Sequence, residues 1–379
     1  MKKSKPNNLA VVVAMSGGVD SSVAAALLVR QGYRVIGATM KLWEFQDVGG
    51  NIRGDSACCS VESMNDARTV CQTLGMPHYV FDFQQQFNEC VVSNFVSEYL
   101  RGRTPNPCVL CNTKIKWETL LKKTEELGAD FIATGHYARI EYHSGRKRYI
   151  LRKGLYREKD QSYALWGLTR ESLQKTLFPL GELTKTEVRK IAGEFGLKTA
   201  AKGESQDICF VPDNDYRRLI RERTAGKNER LIRDGEIVTT TGTVVGRHHG
   251  YPNYTIGQRK GLGVAMGKPV YVVDIRPEEN QIIIGGKEEL SGSGLIADQV
   301  NWIAIETLPV PARYFVKIRY RDRGSFAQVF PREDGSVRVK FEIPQAAVTP
   351  GQSVVFYDDD IVVGGGIIQR KMRDESDGI

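Results

Sequence analysis

Within this 379-residue chain, the residue types of Ser16-Gly17-Gly18-Val19-Asp20-Ser21-Ser22 bear most directly on chemistry. They follow the apolar run Leu9-Ala10-Val11-Val12-Val13-Ala14-Met15 and lead into Val23-Ala24-Ala25-Ala26-Leu27-Leu28-Val29, a pattern of strand, tight loop and helix. Glycines let backbone N–H groups approach an anion, and the helix that follows points its unpaired N–H groups and positive dipole end at the same place. Asp20, Ser21 and Ser22 add capping groups, hydroxyls and a carboxylate of the kind Mg²⁺ takes. Phosphate binding is the chemistry expected, although an ordinary capped helix after a buried strand uses similar letters. The loop has neither the lysine of G-x-x-x-x-G-K-[ST] nor the spacing of G-x-G-x-x-G, which disfavours both common nucleotide fingerprints.

Thiols are the second chemical signal. Cys108-Val109-Leu110-Cys111 follows the turn-rich Thr104-Pro105-Asn106-Pro107 and precedes a helix expected over residues 114–127. A single C-x-x-C serves redox, zinc or iron–sulfur chemistry equally, but zinc needs further ligands and the chain has no second C-x-x-C. Cys209, within Asp207-Ile208-Cys209-Phe210, reads by itself as a structural thiol. Cys58 and Cys59 are vicinal in a polar, glycine-containing stretch and are expected to be exposed, whereas Cys71 and Cys90 read as helical core fillers. Seven cysteines, with no recognisable secretion signal, favour a reducing compartment over a disulfide framework.

Alternating elements must carry these groups. Further strands are expected over residues 33–40, 78–83 and 130–134, with helices over 61–74, 85–100 and 114–127, which implies a doubly wound parallel sheet. Ligands then sit beyond the strand carboxyl ends, placing Gly17, Gly18, Met40, Gly135 and His136 along one edge. Residues 171–195 read as helical, with Thr184-x-x-Glu187 as a capping box. Beyond about residue 230 short β-rich runs take over, first in a small central domain and then at the spacing of a closed barrel. The expected boundaries are residues 1–212, 213–287 and 288–379.

Composition sets wider bounds. A net charge of +8 favours a polyanionic partner. Met1-Lys2-Lys3-Ser4-Lys5 mimics the start of a signal peptide, but the apolar run after it flows into the phosphate loop without a cleavage site. No stretch reaches the ~18 apolar residues needed to cross a bilayer, and a cytoplasmic enzyme is expected.

The phosphate loop resembles that of the PP-loop ATP pyrophosphatases, which cleave ATP between the α and β phosphates. Taken with Thr104-Pro105-Asn106-Pro107, Leu110-Cys111-Asn112, Ala133-Thr134-Gly135-His136-Tyr137-Ala138, Lys159-Asp160-Gln161-Ser162-Tyr163, Asp207-Ile208-Cys209-Phe210, Tyr254-Thr255-Ile256-Gly257-Gln258-Arg259-Lys260-Gly261 and Lys317-Ile318-Arg319-Tyr320, the chain is similar to the bacterial tRNA-specific 2-thiouridylases from Val11 to about Ile368. The resemblance implies ATP-dependent replacement of O2 of a wobble uridine by sulfur, in the tRNAs for Lys, Glu and Gln. It assigns Ala14, Met15, Ser16, Gly17, Gly18, Val19, Asp20, Ser21, Met40 and Gly135 to ATP, and Asn106, Pro107 and Cys108 to the target base. His136, Lys159, Asp160, Gln161, Arg319, Tyr320 and Gln352 match tRNA-contacting positions. Cys209 is implied as the carrier of a persulfide received from a cysteine desulfurase or sulfur-relay protein. Cys111 is implied as the nucleophile that either frees hydrosulfide or forms a transient disulfide.

Mg²⁺ accompanies ATP in this picture. Cys108 departs from the family pattern, in which many members carry aspartate, so Cys108, Cys111 and Cys209 are also candidate ligands of an iron–sulfur cluster. The cluster-free reading is preferred. Two other functions compete: a different PP-loop adenylating ligase, such as an amide-forming synthetase, and a non-catalytic, ATP-regulated RNA-binding protein. The ligase has no use for paired thiols at Cys111 and Cys209, and the RNA-binding protein predicts binding without AMP formation.

Overall fold

Five buried residues, Ala10–Ala14, form β1 at the centre of a parallel sheet in the computed structural model, which describes residues 8–44, 61–203, 208–226 and 232–373. Around β1 stand β2 (Arg34–Lys41), β3 (His78–Asp82), β4 (Phe131–Ala133) and, after the antiparallel hairpin β5 (Ala138–His143) and β6 (Arg148–Lys153), the short β7 (Thr176–Leu177). The order is β3-β2-β1-β4-β7. All pairings are parallel, with Ala14 opposite Ala38 and Val13 opposite Ala133. The chain runs outward from β1 through β2 to β3, then restarts on the other side with β4. The crevice at which a doubly wound sheet binds ligands therefore lies at the carboxyl ends of β1 and β4.

The helix after β1, α1 (Val19–Arg30), packs its valines, leucines and the small Ala24, Ala25 and Ala26 into the core of this sheet. The capping box expected at Thr184 is present and opens the helix Lys185–Glu194. The helix expected over residues 85–100 is present with a π stretch inside it, and the structure departs from expectation at the helix that follows. Helical turns run through Gln84–Phe87, a π stretch Asn88–Val92 and Ser93–Leu100. The next helix starts at Pro107, so the C-x-x-C opens it instead of preceding it. Proline suits a first helical position because its missing N–H would be unpaired there anyway. From Cys111 to Leu120 this helix is π-wound, and the Thr119 hydroxyl donates to the Lys114 carbonyl 2.9 Å away.

The chain divides into two compact units. The first comprises residues 1–91, 108–214 and 360–362 and contains the parallel sheet; the second comprises residues 92–107, 215–359 and 363–379. In the second, β8 (Asp234–Thr239), β9 (Val244–His249), β10 (Tyr271–Arg276) and β11 (Gln281–Gly285) make a small mixed sheet of order β10-β11-β8-β9. The later strands are β12 (Ser291–Trp302), β13 (Ala312–Lys317), β14 (Ser325–Pro331), β15 (Val337–Ala346), β16 (Ser353–Asp358) and β17 (Ile361–Met372). They close into a six-stranded barrel because β12 pairs with both β15 and β17. Val316, Val329, Val339, Val354 and Phe356 fill it. Closure removes the exposed strand edges of an open sheet.

Candidate active site

Gly17 turns the chain from β1 into α1 with φ +70°, and a Cβ there would stand 2.2 Å from the Ser63 carbonyl oxygen. Only glycine fits this close approach. Ser63 belongs to α2 (Val61–Thr73) and is buried. Inside the loop, Ser16 N–H donates to the Ser21 hydroxyl at 3.2 Å, and the Ser22 hydroxyl donates to the Gly18 carbonyl at 2.8 Å. Gly18 caps α1 without a side chain, so no side-chain oxygen occupies the unpaired N–H groups at the helix start. Gly135, just past β4, completes the crevice, since a Cβ there would lie 2.7 Å from the Ser21 nitrogen. Met15 N–H donates to the Ala38 carbonyl, and Thr39 binds the Met15 carbonyl at 3.0 Å, fixing the carboxyl end of β2, which also bears Met40. The residues assigned to ATP thus line one sheet edge.

Asp20 departs from expectation. Its carboxylate accepts from Lys185 Nζ at 2.7 and 2.9 Å and from the Tyr137 hydroxyl at 2.7 Å. With both oxygens on an ammonium, Asp20 as placed is not arranged as a Mg²⁺ ligand, and the Ser22 hydroxyl is committed to Gly18. The donor set of this loop therefore does not by itself build a Mg²⁺ site. Lys185 and Tyr137 are site residues that the sequence reading missed.

Tyr137 ties this centre to another predicted segment. Its N–H donates to Gln161 Oε1 at 3.0 Å, and its carbonyl accepts from Gln161 N–H at 2.9 Å. Asp160 accepts from the N–H groups of Gly154 and Ser162, both at 3.0 Å. The Asp160 and Gln161 side chains therefore shape the loop from 154 to 162 that carries Lys159.

Lys202 was also missed. Its ammonium meets the buried Asp66 at 2.7 Å and Ser63 at 3.4 Å, on the same α2 turn that lies against Gly17. The backbone just before it is held by Arg189, which donates to the Ala200 carbonyl at 2.6 Å. Residues 200–202 are thereby anchored beside the phosphate loop.

Cys209 and Cys111 are both half-buried, while Cys108 is exposed. Phe210, next to Cys209, is buried edge-on against Phe87, with ring centroids 5.5 Å apart. The turn bearing Phe87 also packs on the Cys111–Leu120 helix. The turn Gln84–Phe87 is thus a neighbour of both segments that carry the thiols. Asn112 beside Cys111 is buried; its amide donates to the Ala164 carbonyl at 2.9 Å and its oxygen accepts from Lys116 at 2.8 Å. Among the described residues, no three His, Cys, Asp or Glu side chains gather as a metal ion requires. Cys108, Cys111 and Cys209 as placed do not form such a group, so their arrangement does not fit an iron–sulfur cluster. Cys71 is a core thiol whose burial pushes its pKa up to about 12, as its reading as a core filler implies. Cys58, Cys59 and Asp207 lie outside the described residues.

His136 stands between Trp117 and Phe178, with ring centroids 5.7 and 5.9 Å away. Its Nδ1 pairs with the Thr134 hydroxyl at 2.6 Å. Burial, reinforced by the Lys116 charge, holds this imidazole well below its ordinary pKa, so it is neutral at pH 7. In the second unit Arg319 and the exposed Tyr320 sit on the turn after β13, a cation and a ring of the kind that hold phosphate and stack on a base. Gln352 donates through Nε2 to the carbonyls of Thr104 and Pro105, at 3.0 and 2.9 Å. The Asn106-Pro107 pair expected at the target base follows directly.

Family models described as tRNA methyl transferase HUP domain, tRNA methyl transferase PRC-barrel domain and aminomethyltransferase beta-barrel domain match residues 9–213, 227–286 and 292–368. The tRNA-specific 2-thiouridylase MnmA of Acetivibrio thermocellus is 51% identical over 359 residues, spanning 95% of this chain and 99% of that protein. The protein of the same name from Salinibacter ruber is 50% identical over 359 residues, with 94% of each chain covered. MnmA 1 of a Thermoanaerobacter species is 52% identical over 369 residues, with 97% and 100% covered.

Proposed function

The chain belongs to the family of tRNA-specific 2-thiouridylases, and on that premise we propose that it uses ATP to replace O2 of the wobble uridine of tRNA with sulfur. The observation that carries this reading is that one compact unit holds both an anion-binding loop at a sheet switch point and the thiols Cys111 and Cys209. Methyl transfer, named in the descriptions of two matching family models, would leave the phosphate loop and the thiol pair without a task.

The uridine O2 attacks the α-phosphorus of ATP and pyrophosphate departs, which turns a poor leaving group into AMP. Backbone N–H groups of Gly17, Gly18 and the start of α1 would face the phosphates and stabilise the charge that develops on them. Lys185, paired with Asp20 in the first turn of α1, would supply a cation to that charge.

Sulfur reaches C2 from a persulfide on Cys209, loaded by a cysteine desulfurase or relay protein. In one branch the terminal sulfur attacks C2 and AMP leaves; the Cys111 thiolate then attacks the inner sulfur, releasing 2-thiouridine and forming a Cys111–Cys209 disulfide. In the other, Cys111 attacks first and the expelled hydrosulfide displaces AMP. Both end in the same disulfide, which an external dithiol must reduce. The wobble base has to leave the anticodon stack to react. Asn106, Pro107 and Cys108 are the proposed base contacts, and His136, Lys159, Asp160, Gln161, Arg319, Tyr320 and Gln352 the proposed tRNA contacts. Asp160 and Gln161 would act largely by shaping their loop. Residues 1–212 form the catalytic part in this account, residues 213–287 a linking domain and residues 288–379 a tRNA-binding barrel. The tRNAs for Lys, Glu and Gln are the proposed substrates and the cytoplasm the proposed compartment.

Release of AMP and pyrophosphate tests the first half of the reaction. It should require uridine-containing anticodons and ATP. AMP formation that is indifferent to tRNA would contradict adenylation of the base.

A further inference from the structure

The stretch from Arg103 to Pro105 is pinned from several directions within the second unit. The Arg103 guanidinium donates from Nε to Glu98 Oε2 at 2.7 Å and from Nη1 to Gln369 Oε1 at 2.6 Å. Glu98 is buried, and the Arg103 N–H donates to the Glu98 carbonyl at 2.9 Å. Gln369, on β17, spends its amide nitrogen on Asp298 of β12. One residue further on, Thr104 N–H donates to the Pro350 carbonyl at 2.9 Å, and the Thr104 and Pro105 carbonyls accept from Gln352. Gly351, with φ +89°, lets this happen, since a Cβ there would stand 2.8 Å from the Thr104 oxygen.

A loop that only connects two helices needs no desolvated ion pair. Withdrawing Arg103 and Glu98 from water is costly, and such a pair adds little net stability over an apolar replacement. What it does supply is geometry, because a guanidinium satisfied by Glu98, Gln369 and, from Nη2 at 3.5 Å, the Ile368 carbonyl admits few arrangements. The pinned stretch runs straight into Asn106, Pro107 and Cys108, and Cys111 follows one turn later.

We propose that Arg103 is a positioning residue for sulfur transfer. Clamped between Glu98 and Gln369, it uses the barrel to set where Asn106 and Pro107 stand. This inference rests on the thiolation reading above. It predicts that loss of the clamp impairs turnover and leaves ATP recognition, which belongs to the loop at residues 16–21, untouched. A displacement of about 1 Å at a reacting centre is enough to cost on the order of a hundredfold in rate.

Arg103→Ala and Gln369→Met test it, the latter leaving the Arg103–Glu98 pair in place should the former fail to fold. Each is expected to lower kcat for 2-thiouridine formation about tenfold or more, with the KM for ATP unchanged. Amide exchange should quicken at residues 104–111, while the barrel strands keep their protection. Combining the two should cost little more than Arg103→Ala alone, because they break one clamp. Faster exchange with an unchanged kcat would overturn the proposal by leaving the clamp a purely structural role. A lower kcat without faster exchange would overturn it too, since the effect would not run through the loop. If the unaltered protein makes no 2-thiouridine, the thiolation reading fails, and amide exchange still reports separately whether the clamp holds the loop.

Discussion

Lys185 grips both carboxylate oxygens of Asp20, at 2.7 and 2.9 Å, across a sequence separation of 165 residues. The pair joins the first turn of α1 to the first residue of the helix Lys185–Glu194, so an ammonium stands at the edge of the anion site. Incoming phosphates compete with Asp20 for it. Lys185→Ala should therefore slow tRNA-dependent AMP formation roughly tenfold or more, with Lys185→Arg retaining part of the rate. Because the pair is only partly shielded, the stability loss should be about 1–3 kcal/mol, between the surface and buried limits. Quenched-flow AMP assays and denaturant melts check the two effects separately.

Gly135→Ala places a methyl group against the backbone of Asp20 and Ser21. The start of α1 must shift, and ATP affinity should fall at least tenfold while tRNA binding stays intact. Titration calorimetry with each ligand distinguishes this from general unfolding, which would weaken both.

The two thiols should fail differently. After incubation with a persulfide donor, Cys111→Ser should accumulate one added sulfur atom on Cys209, and Cys209→Ser should accumulate none. Both should still adenylate tRNA but make no 2-thiouridine. Intact-protein mass spectrometry reads the difference, and equal loading of both variants would contradict the assigned roles.

Acid should destabilise the fold through two imidazoles. His136 is held well below its ordinary pKa by burial and then by Lys116. His248 is lowered, first by burial; it pairs through Nε2 with the Asn280 carbonyl, and its Nδ1 is buried without a partner among the described residues. Each has a folded pKa below the unfolded value of about 6.5, so the unfolded chain takes up these protons first. Stability should hold above about pH 7 and decline as the pH falls through about 6.5. Tm measured from pH 8 to 5.5 should show the decline, with a shallower slope in His136→Gln/His248→Gln.

The anion site was legible because its signal is local: an apolar strand, two glycines and a small-residue helix follow one another between residues 10 and 30. The capping box at Thr184 was equally plain, yet the Lys185 beside it carried no chemical signal until the fold brought it to Asp20. Tyr137 was hidden in the same way. The hairpin of β5 and β6 escaped because its turn puts Lys147, not an asparagine, at φ +48°. Thr104-Pro105-Asn106-Pro107 read as a turn, but Pro107 starts the helix that bears both cysteines. Gln352 shows the limit most clearly, since its placement against Thr104 and Pro105 depends on barrel closure far along the chain.

Nucleoside mass spectrometry of tRNA incubated with this protein, ATP, Mg²⁺, a persulfide donor and a dithiol tests the central claim most directly. The account predicts 2-thiouridine at the wobble position, one AMP released per thiolated base, and no product from Cys111→Ser or Cys209→Ser. An unmodified wobble uridine under these conditions, or full thiolation by either cysteine variant, would contradict it.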